Sequence, residues 1–168
     1  MLNLFLPNKQ VESIYDITPA FLQEINKKGI IVDLDNTLVP WNIAHATEEV
    51  ITWLRNMEAA GLKVTIFSNN NKERVRVFAE PLNIPFIHKA NKPLRRQFNR
   101  AQQLMGLKQE DVVVIGDQLL TDILGGNRAG LYTILVLPII QTDAKITQFN
   151  RRMERMILNK LQQQGKIS

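Results

Sequence analysis

The chain has 168 residues, 45% of them apolar, a net charge of +5, no cysteine and two histidines. That is one ordinary globular domain, long enough to bury roughly 70% of its unfolded surface without covalent staples. Disulfides and thiolate metal sites are excluded, and with only His45 and His88 offering imidazole, any metal here must be hard and oxygen-ligated.

No segment reaches the ~18 consecutive apolar residues of a membrane span, and Met1 to Leu6 is too short for a signal-peptide core. The lack of cysteine fits a reducing compartment, so a cytoplasmic protein is expected. The charge is uneven. Pro81 to Gln109 holds Lys89, Lys92, Arg95, Arg96, Arg100 and Lys108 with no acid, and Gln141 to Ser168 holds six basic residues against Asp143 and Glu154. The rest of the chain is therefore net acidic, and two basic surfaces flank an acidic cluster.

In chain order, the first strong element is the apolar run of a strand at Gly29 to Leu34. It ends in Asp33-Leu34-Asp35-Asn36-Thr37, two carboxylates two residues apart. An unpaired buried charge is costly, so acids at the end of such a strand are expected to face a solvated, cation-containing cleft; a simple capped turn is the plainer alternative. A helix follows, with Val50, Trp53, Leu54 and Met57 on one stripe, Thr47 before it, Glu48 and Glu49 in its first turn, and a stop at Gly61. A strand at Lys63 to Phe67 leads into Ser68-Asn69-Asn70, then a helix from about Asn71 to Glu80. A short strand at Pro85 to Ile87 comes next, and Lys92 follows it. The next helix is predicted to start at Pro93, place Leu94, Phe98, Ala101 and Leu104 on one face, and close at Gly106. The strand Val112 to Ile115 runs into Gly116-Asp117-Gln118-Leu119-Leu120-Thr121-Asp122. A helix over Thr121 to Ala129 and a strand at Tyr132 to Val136 complete the alternation.

Strands alternating with helices predict an α/β fold, a three-layer α/β/α Rossmann-like arrangement with a five-stranded parallel sheet. Ligands of such sheets bind beyond the carboxyl ends of the strands. All four polar clusters fall at such ends. The order acid pair, hydroxyl, lysine, acid pair is far more specific than any one member.

That order, from Asp33 to Asp122, resembles the haloacid dehalogenase (HAD) superfamily of aspartate-nucleophile phosphohydrolases. Thr37-Leu38-Val39-Pro40-Trp41, Phe67-Ser68-Asn69-Asn70-Asn71, Lys92-Pro93 and Gly116 through Asp122 look like its YqeG group, class III-A phosphatases, which are similar to phosphatidylglycerophosphate phosphatases. The resemblance implies a HAD-like domain and a Mg²⁺-dependent phosphomonoester hydrolase working through an aspartyl phosphate. Asp33 is then the nucleophile and Asp35 the general acid and base, with Lys92 steadying charge. Ser68, Asn69 and Lys92 grip the phosphate. Mg²⁺ is expected at Asp33, Asp117 and Asp122, with the Asp35 carbonyl completing the set, and Thr37 orients the loop.

There is no room between these motifs for an inserted cap, so the site should be open to a phosphate on something large, such as a lipid. The expected domain is 1–168, with 142–168 a basic amphipathic helix that places Phe149, Met153, Met156, Ile157 and Leu161 on one stripe. Such a helix either packs on its own core or lies on an anionic membrane. The expected substrate is phosphatidylglycerophosphate, at the cytoplasmic, inner face of the membrane. A protein, nucleotide or polynucleotide phosphate, or a non-catalytic RNA- or ribosome-binding role, stands as the alternative. No base-reading or stacking motif favours nucleic acid.

Overall fold

The structure is a computed structural model and describes residues 2–140 and 145–166; the side chains of 145–150 are outside that description. Six parallel strands form one sheet in the order β1-β6-β5-β2-β3-β4. They are β1 (Lys9–Val11), β2 (Gly29–Val32), β3 (Lys63–Phe67), β4 (Phe86–Ile87), β5 (Val112–Gly116) and β6 (Tyr132–Val136). The helices are α1 (Pro19–Glu24), α2 (Glu48–Ala59), α3 (Lys72–Ala79), α4 (Arg95–Leu104), α5 (Leu124–Arg128) and α6 (Lys145–Gln163).

The sheet has one strand more than the five expected. β1 is only three residues long and lacks an apolar run, so nothing local marks it as a strand; it exists because Lys9 to Val11 pair with Ile134 to Val136 at the edge. The central strand β2 reads as a continuous apolar run for the physical reason anticipated. Every residue from Gly29 to Val32 is buried, because Ile30 and Val32 pack with Trp53, Leu54, Met57 and Phe78 on one face, while Ile31 packs with Phe98, Ala101 and Val114 on the other.

Two helix boundaries move toward the site. α4 begins at Arg95, two residues beyond Pro93, because Lys92 to Leu94 form a turn. Its inward stripe is Phe98 and Ala101 alone, and the expected members Leu94 and Leu104 are 57% and 66% exposed. The helix expected from Thr121 is instead a π-helical turn over Leu119–Ile123 that runs into α5. Such wide turns accompany functional sites, and this one buries Asp122 at the end of β5.

The C-terminal helix packs on the domain. Its inward stripe is Glu154, Ile157, Leu158 and Leu161, the spacing i, i+3, i+4, i+7, with Ile157 and Leu158 against Leu119, Ile123 and Leu135. Met153 and Met156, expected on that stripe, are 40% and 70% exposed. Residues 142–144 and 167–168 of the expected tail, and the Phe149 side chain, lie outside the described residues. Among the described residues, no helix is long and apolar enough to cross a membrane.

Candidate active site

The chain leaves β2 to build β3 and β4 on one side and returns to β5 on the other. The point where the direction reverses is where open parallel sheets bind ligands. Asp33 stands there, one residue past β2, its backbone N–H donating to the Ile115 carbonyl at 3.0 Å. Asn36 adopts a left-handed conformation, φ 63°, which an asparagine tolerates better than most residues. The turn folds Thr37 back over Asp33.

Five of the expected residues, Asp33, Thr37, Lys92, Asp117 and Asp122, converge. Lys92 Nζ donates to Asp33 Oδ1 at 2.8 Å, to Asp122 Oδ1 at 2.6 Å and to the Phe67 carbonyl at 3.2 Å. Thr37 Oγ1 lies 3.2 Å from Asp33 Oδ2 and 3.1 Å from Asp117 Oδ1, bridging the two carboxylates. Carboxylate oxygens of Asp33, Asp117 and Asp122 all lie within 4.8 Å of one another. Asp117 and Asp122 are buried beneath the site floor, whereas Asp33 and Lys92 also line a cavity of about 470 Å³ with Asp35, Ser68, Asn69, Asn70, Trp41 and Gln118.

The loops after β3 and β4 are held just as firmly. Asn69 Oδ1 accepts from the Lys92 N–H at 2.8 Å and its Nδ2 donates back to the Lys92 carbonyl at 3.4 Å, clamping the loop after β3 to the loop after β4. Ser68 Oγ accepts from the Asn70 N–H at 3.1 Å, which keeps its own proton available to the cavity. Asp35 sits to one side. Its Oδ1 accepts from Arg74 Nε and Nη2 at 3.1 and 3.0 Å, and its Oδ2 accepts from Asn70 Nδ2 at 3.1 Å.

Burial governs the electrostatics. Desolvation opposes the Lys92 charge, yet the adjacent Asp122 and Asp33 carboxylates outweigh it and raise the lysine pKa. Burial pushes Asp122 up to about 6 against the pull of Lys92, and burial, with Asp33 and Asp122 alongside, raises Asp117. Glu154 is pushed up to about 7 by burial.

Sequence reasoning missed three members of this constellation. Arg151 on α6 donates through Nη1 to the Asp117 carbonyl at 3.0 Å and through Nη2 to the Asp117 carboxylate. Glu154, one turn on, lies 3.6 Å from Arg151 and accepts from the Leu120 N–H at 3.3 Å. Arg74, on the first turn of α3, is the third. Glu154 alone carries a local signal, an acid set on the apolar stripe of its own helix; the two arginines resemble any surface arginine.

The donor set suits a divalent cation. Four carboxyl groups, of Asp33, Asp117, Asp122 and Glu154, crowd around the two cations Lys92 and Arg151, and the raised pKa values of Asp117, Asp122 and Glu154 mark a desolvation and repulsion that a bound cation would relieve. Each carboxylate oxygen already engaged keeps a second lone pair. Every carboxylate oxygen of the three acids already has a partner, those of Asp33 in Lys92 and Thr37, of Asp117 in Thr37 and Arg151, and of Asp122 in Lys92 and the Gln118 N–H, and of the three Asp33 also lines the cavity.

Fold and site together define a hydrolase of the haloacid dehalogenase superfamily. Residues 89–163 match the HAD-hydrolase-like family model. The chain is 58% identical over 163 residues to the "Probable phosphatase YqeG" of Bacillus subtilis (strain 168), covering 97% of this chain and 95% of that one. It belongs to the YqeG family. It is also 25% identical to the chloroplastic/mitochondrial phosphatidylglycerophosphate phosphatase 1 of Arabidopsis thaliana over 95% of its length, and 27% identical to the chloroplastic enzyme of Chlamydomonas reinhardtii over 82%. It spans 49% and 54% of those two chains. Among solved structures, the cobalt-bound deoxy-D-mannose-octulosonate 8-phosphate phosphatase of Haemophilus influenzae superimposes with a TM-score of 0.54 at 18% identity, covering 84% of this chain and 91% of that one. A hypothetical protein from Xanthomonas campestris gives 0.55 at 14% identity, covering 94% of each. Both likenesses are of fold.

Proposed function

We propose that the protein is a Mg²⁺-dependent phosphomonoesterase that forms an aspartyl phosphate on Asp33, with phosphatidylglycerophosphate as its substrate. The observation that carries the reading is Asp33 itself, a carboxylate pinned by Lys92 and Thr37 at the floor of a cavity whose opposite wall is Ser68 and Asn69.

A phosphomonoester dianion repels nucleophiles, so the site must concentrate positive charge and aim the attacker. An Asp33 oxygen attacks phosphorus while the bond to the leaving alkoxide breaks, and Asp35 gives that alkoxide its proton. Asp35 then takes a proton from water, whose oxygen attacks phosphorus and releases Asp33; the sum is ester plus water to alcohol plus phosphate. Lys92, Ser68 and Asn69 hold the phosphoryl oxygens. A Mg²⁺ held by Asp33, Asp117 and the Asp35 carbonyl, with Asp122 supporting or joining them, supplies further positive charge against the phosphoryl group.

The lipid substrate is supported by the two phosphatidylglycerophosphate phosphatases that the chain resembles and by the short segments around the cavity. Residues 36–47 carry turns and a single isolated bridge, and residues 68–94 α3, a 3₁₀ turn at Glu80–Leu82, β4 and turns, which leaves room for a bulky esterified group. The active unit is then 1–168 as one domain with its C-terminal helix, working at the cytoplasmic, inner face of the membrane. A phosphate-release screen with Mg²⁺ across lipid, sugar, nucleotide and phosphopeptide esters tests the reading, run beside Asp33→Asn. Turnover should be greatest on phosphatidylglycerophosphate and vanish in the variant and with chelator while the fold persists. Turnover surviving in Asp33→Asn rejects the covalent mechanism.

A further inference from the structure

Half of the exposed large hydrophobic side chains among the described residues gather at one edge of the sheet. Of the ten among the described residues, Trp41, Ile43, Leu94, Leu137 and Ile139 lie in segments that follow β2, β4 and β6 at their carboxyl ends. In a parallel sheet those ends share one edge, the edge that carries the site. Trp41 is 52% exposed and lines the site cavity itself. Its backbone N–H donates to Asn36 Oδ1 at 3.2 Å, and the Ile139 N–H donates to the Asn36 carbonyl at 3.1 Å. One site residue therefore ties the Trp41 loop to the segment after β6. Leu94 follows the cavity-lining Lys92 by two residues.

Single exposed apolar residues are ordinary; a group of them around a polar cavity marks a contact surface. Leu94 is also flanked by charge of one sign, with Lys89, Arg95 and Arg96 exposed beside it in a stretch that holds no acid from Pro81 to Gln109. Tryptophan and branched aliphatics next to arginine and lysine is the composition of a surface that inserts shallowly into an anionic bilayer. The C-terminal helix is less suited to that role, since its Ile157, Leu158 and Leu161 face the domain.

We infer that the rim formed by Trp41, Ile43, Leu94 and Ile139 is a docking surface for an anionic lipid bilayer, which presents the headgroup phosphate directly to Asp33. The inference rests on the phosphatidylglycerophosphate reading above. It places the membrane contact on the loops of the sheet edge. The bilayer then does what an inserted cap does in other designs, keeping bulk water from the site while the phosphoryl group passes to Asp33.

The chain carries its own probe. Its two tryptophans differ in kind: Trp41 is on the rim, and Trp53 is 6% exposed and donates to the Ile17 carbonyl at 3.0 Å. Full-length protein is mixed with vesicles of phosphatidylcholine alone or with phosphatidylglycerol added. Binding is read by co-sedimentation and by Trp41 emission, and compared with the triple variant Ile43→Ser, Leu94→Ser, Ile139→Ser. The expected result is a blue shift and co-sedimentation with phosphatidylglycerol vesicles that weaken with salt, and a loss of at least about tenfold in vesicle affinity in the triple variant. Hydrolysis of a soluble phosphomonoester should be unchanged by the triple substitution. Equal vesicle binding by the triple variant, vesicle binding with no change in Trp41 emission, or no vesicle binding by the native protein each overturns the docking surface. Hydrolysis of phosphatidylglycerophosphate in detergent micelles separates the two readings. Micellar hydrolysis without bilayer binding removes the docking surface and keeps the substrate; bilayer binding without hydrolysis in micelles removes the substrate and keeps the surface.

Discussion

Arg151 grips Asp117 twice, by its carbonyl at 3.0 Å and by its carboxylate, across 34 residues of chain. The contact anchors the C-terminal helix to the acidic cluster, and the Arg151 side chain is only 13% exposed. Breaking a buried pair by removing one partner costs about 3–5 kcal/mol, because the other charge is left without compensation. Arg151→Gln should therefore lower the melting temperature of metal-free protein by roughly 10 °C for a chain of this size. Added Mg²⁺ should restore more of the loss than it adds to the native protein, since the cation replaces the missing positive charge. Thermal melts of both proteins across a Mg²⁺ titration check this; equal Mg²⁺ stabilisation in both would show that Arg151 does not compensate the cluster.

Arg74 stands in the same relation to Asp35, with Nε and Nη2 on one oxygen and Nη1 on the Ala44 carbonyl at 3.1 Å. In the proposed mechanism Asp35 meets the leaving oxygen, so freeing it should cost orientation more than binding. Arg74→Gln should lower kcat by about 10- to 100-fold with little change in KM. Arg74→Lys should recover only part of the rate, because an ammonium cannot reproduce the planar fork. Steady-state kinetics on a soluble phosphomonoester, with KM and kcat separated, decide it.

Gly116 ends β5 where a side chain would meet Asp122. A Cβ there falls 2.2 Å from the Asp122 carboxyl carbon and 2.3 Å from Oδ2. Gly116→Ala must displace the carboxylate from Lys92 and from the Gln118 N–H. Overpacking of this kind costs about 1–3 kcal/mol, and the Mg²⁺ concentration for half-maximal activity should rise as well. Chemical denaturation and a metal titration measure the two effects separately.

Glu154 gives the metal-free protein a pH dependence of definite sign. Its pKa rises from the ordinary glutamate value of 4.5 to about 7 on folding, so between those values the folded state binds more protons than the unfolded chain. The Glu154 contribution to stability is thus greatest below about pH 4.5 and declines as pH rises toward 7. Each pKa unit corresponds to about 1.4 kcal/mol, so this residue accounts for a decline of order 1–3 kcal/mol. Asp122, at about 6, acts in the same direction over a lower window. Denaturation midpoints of metal-free protein should fall from pH 5 to pH 7.5, and Glu154→Gln should flatten the curve above pH 6. An unchanged slope in that variant would locate the dependence elsewhere.

The sequence by itself determined the parallel α/β fold and the positions that meet at its carboxyl edge. β2 and β5 are fully buried and β3 is buried from Val64 on; these central strands end abruptly in polar residues, and a strand-helix alternation leaves one edge on which Asp33, Ser68, Lys92 and Asp117 can meet. Where a signal depended on neighbours far along the chain, it was silent. β1 is a strand only because β6 offers it a free edge. Leu94 and Leu104 keep helical spacing with Phe98, yet a turn at Lys92 to Leu94 and the end of α4 leave both in solvent. Only the tertiary structure decided that Arg74 belongs to Asp35 and Arg151 to Asp117. An arginine's partner is chosen by distances across 39 and 34 residues, and no local pattern encodes a distance that the packing of the sheet and its helices sets.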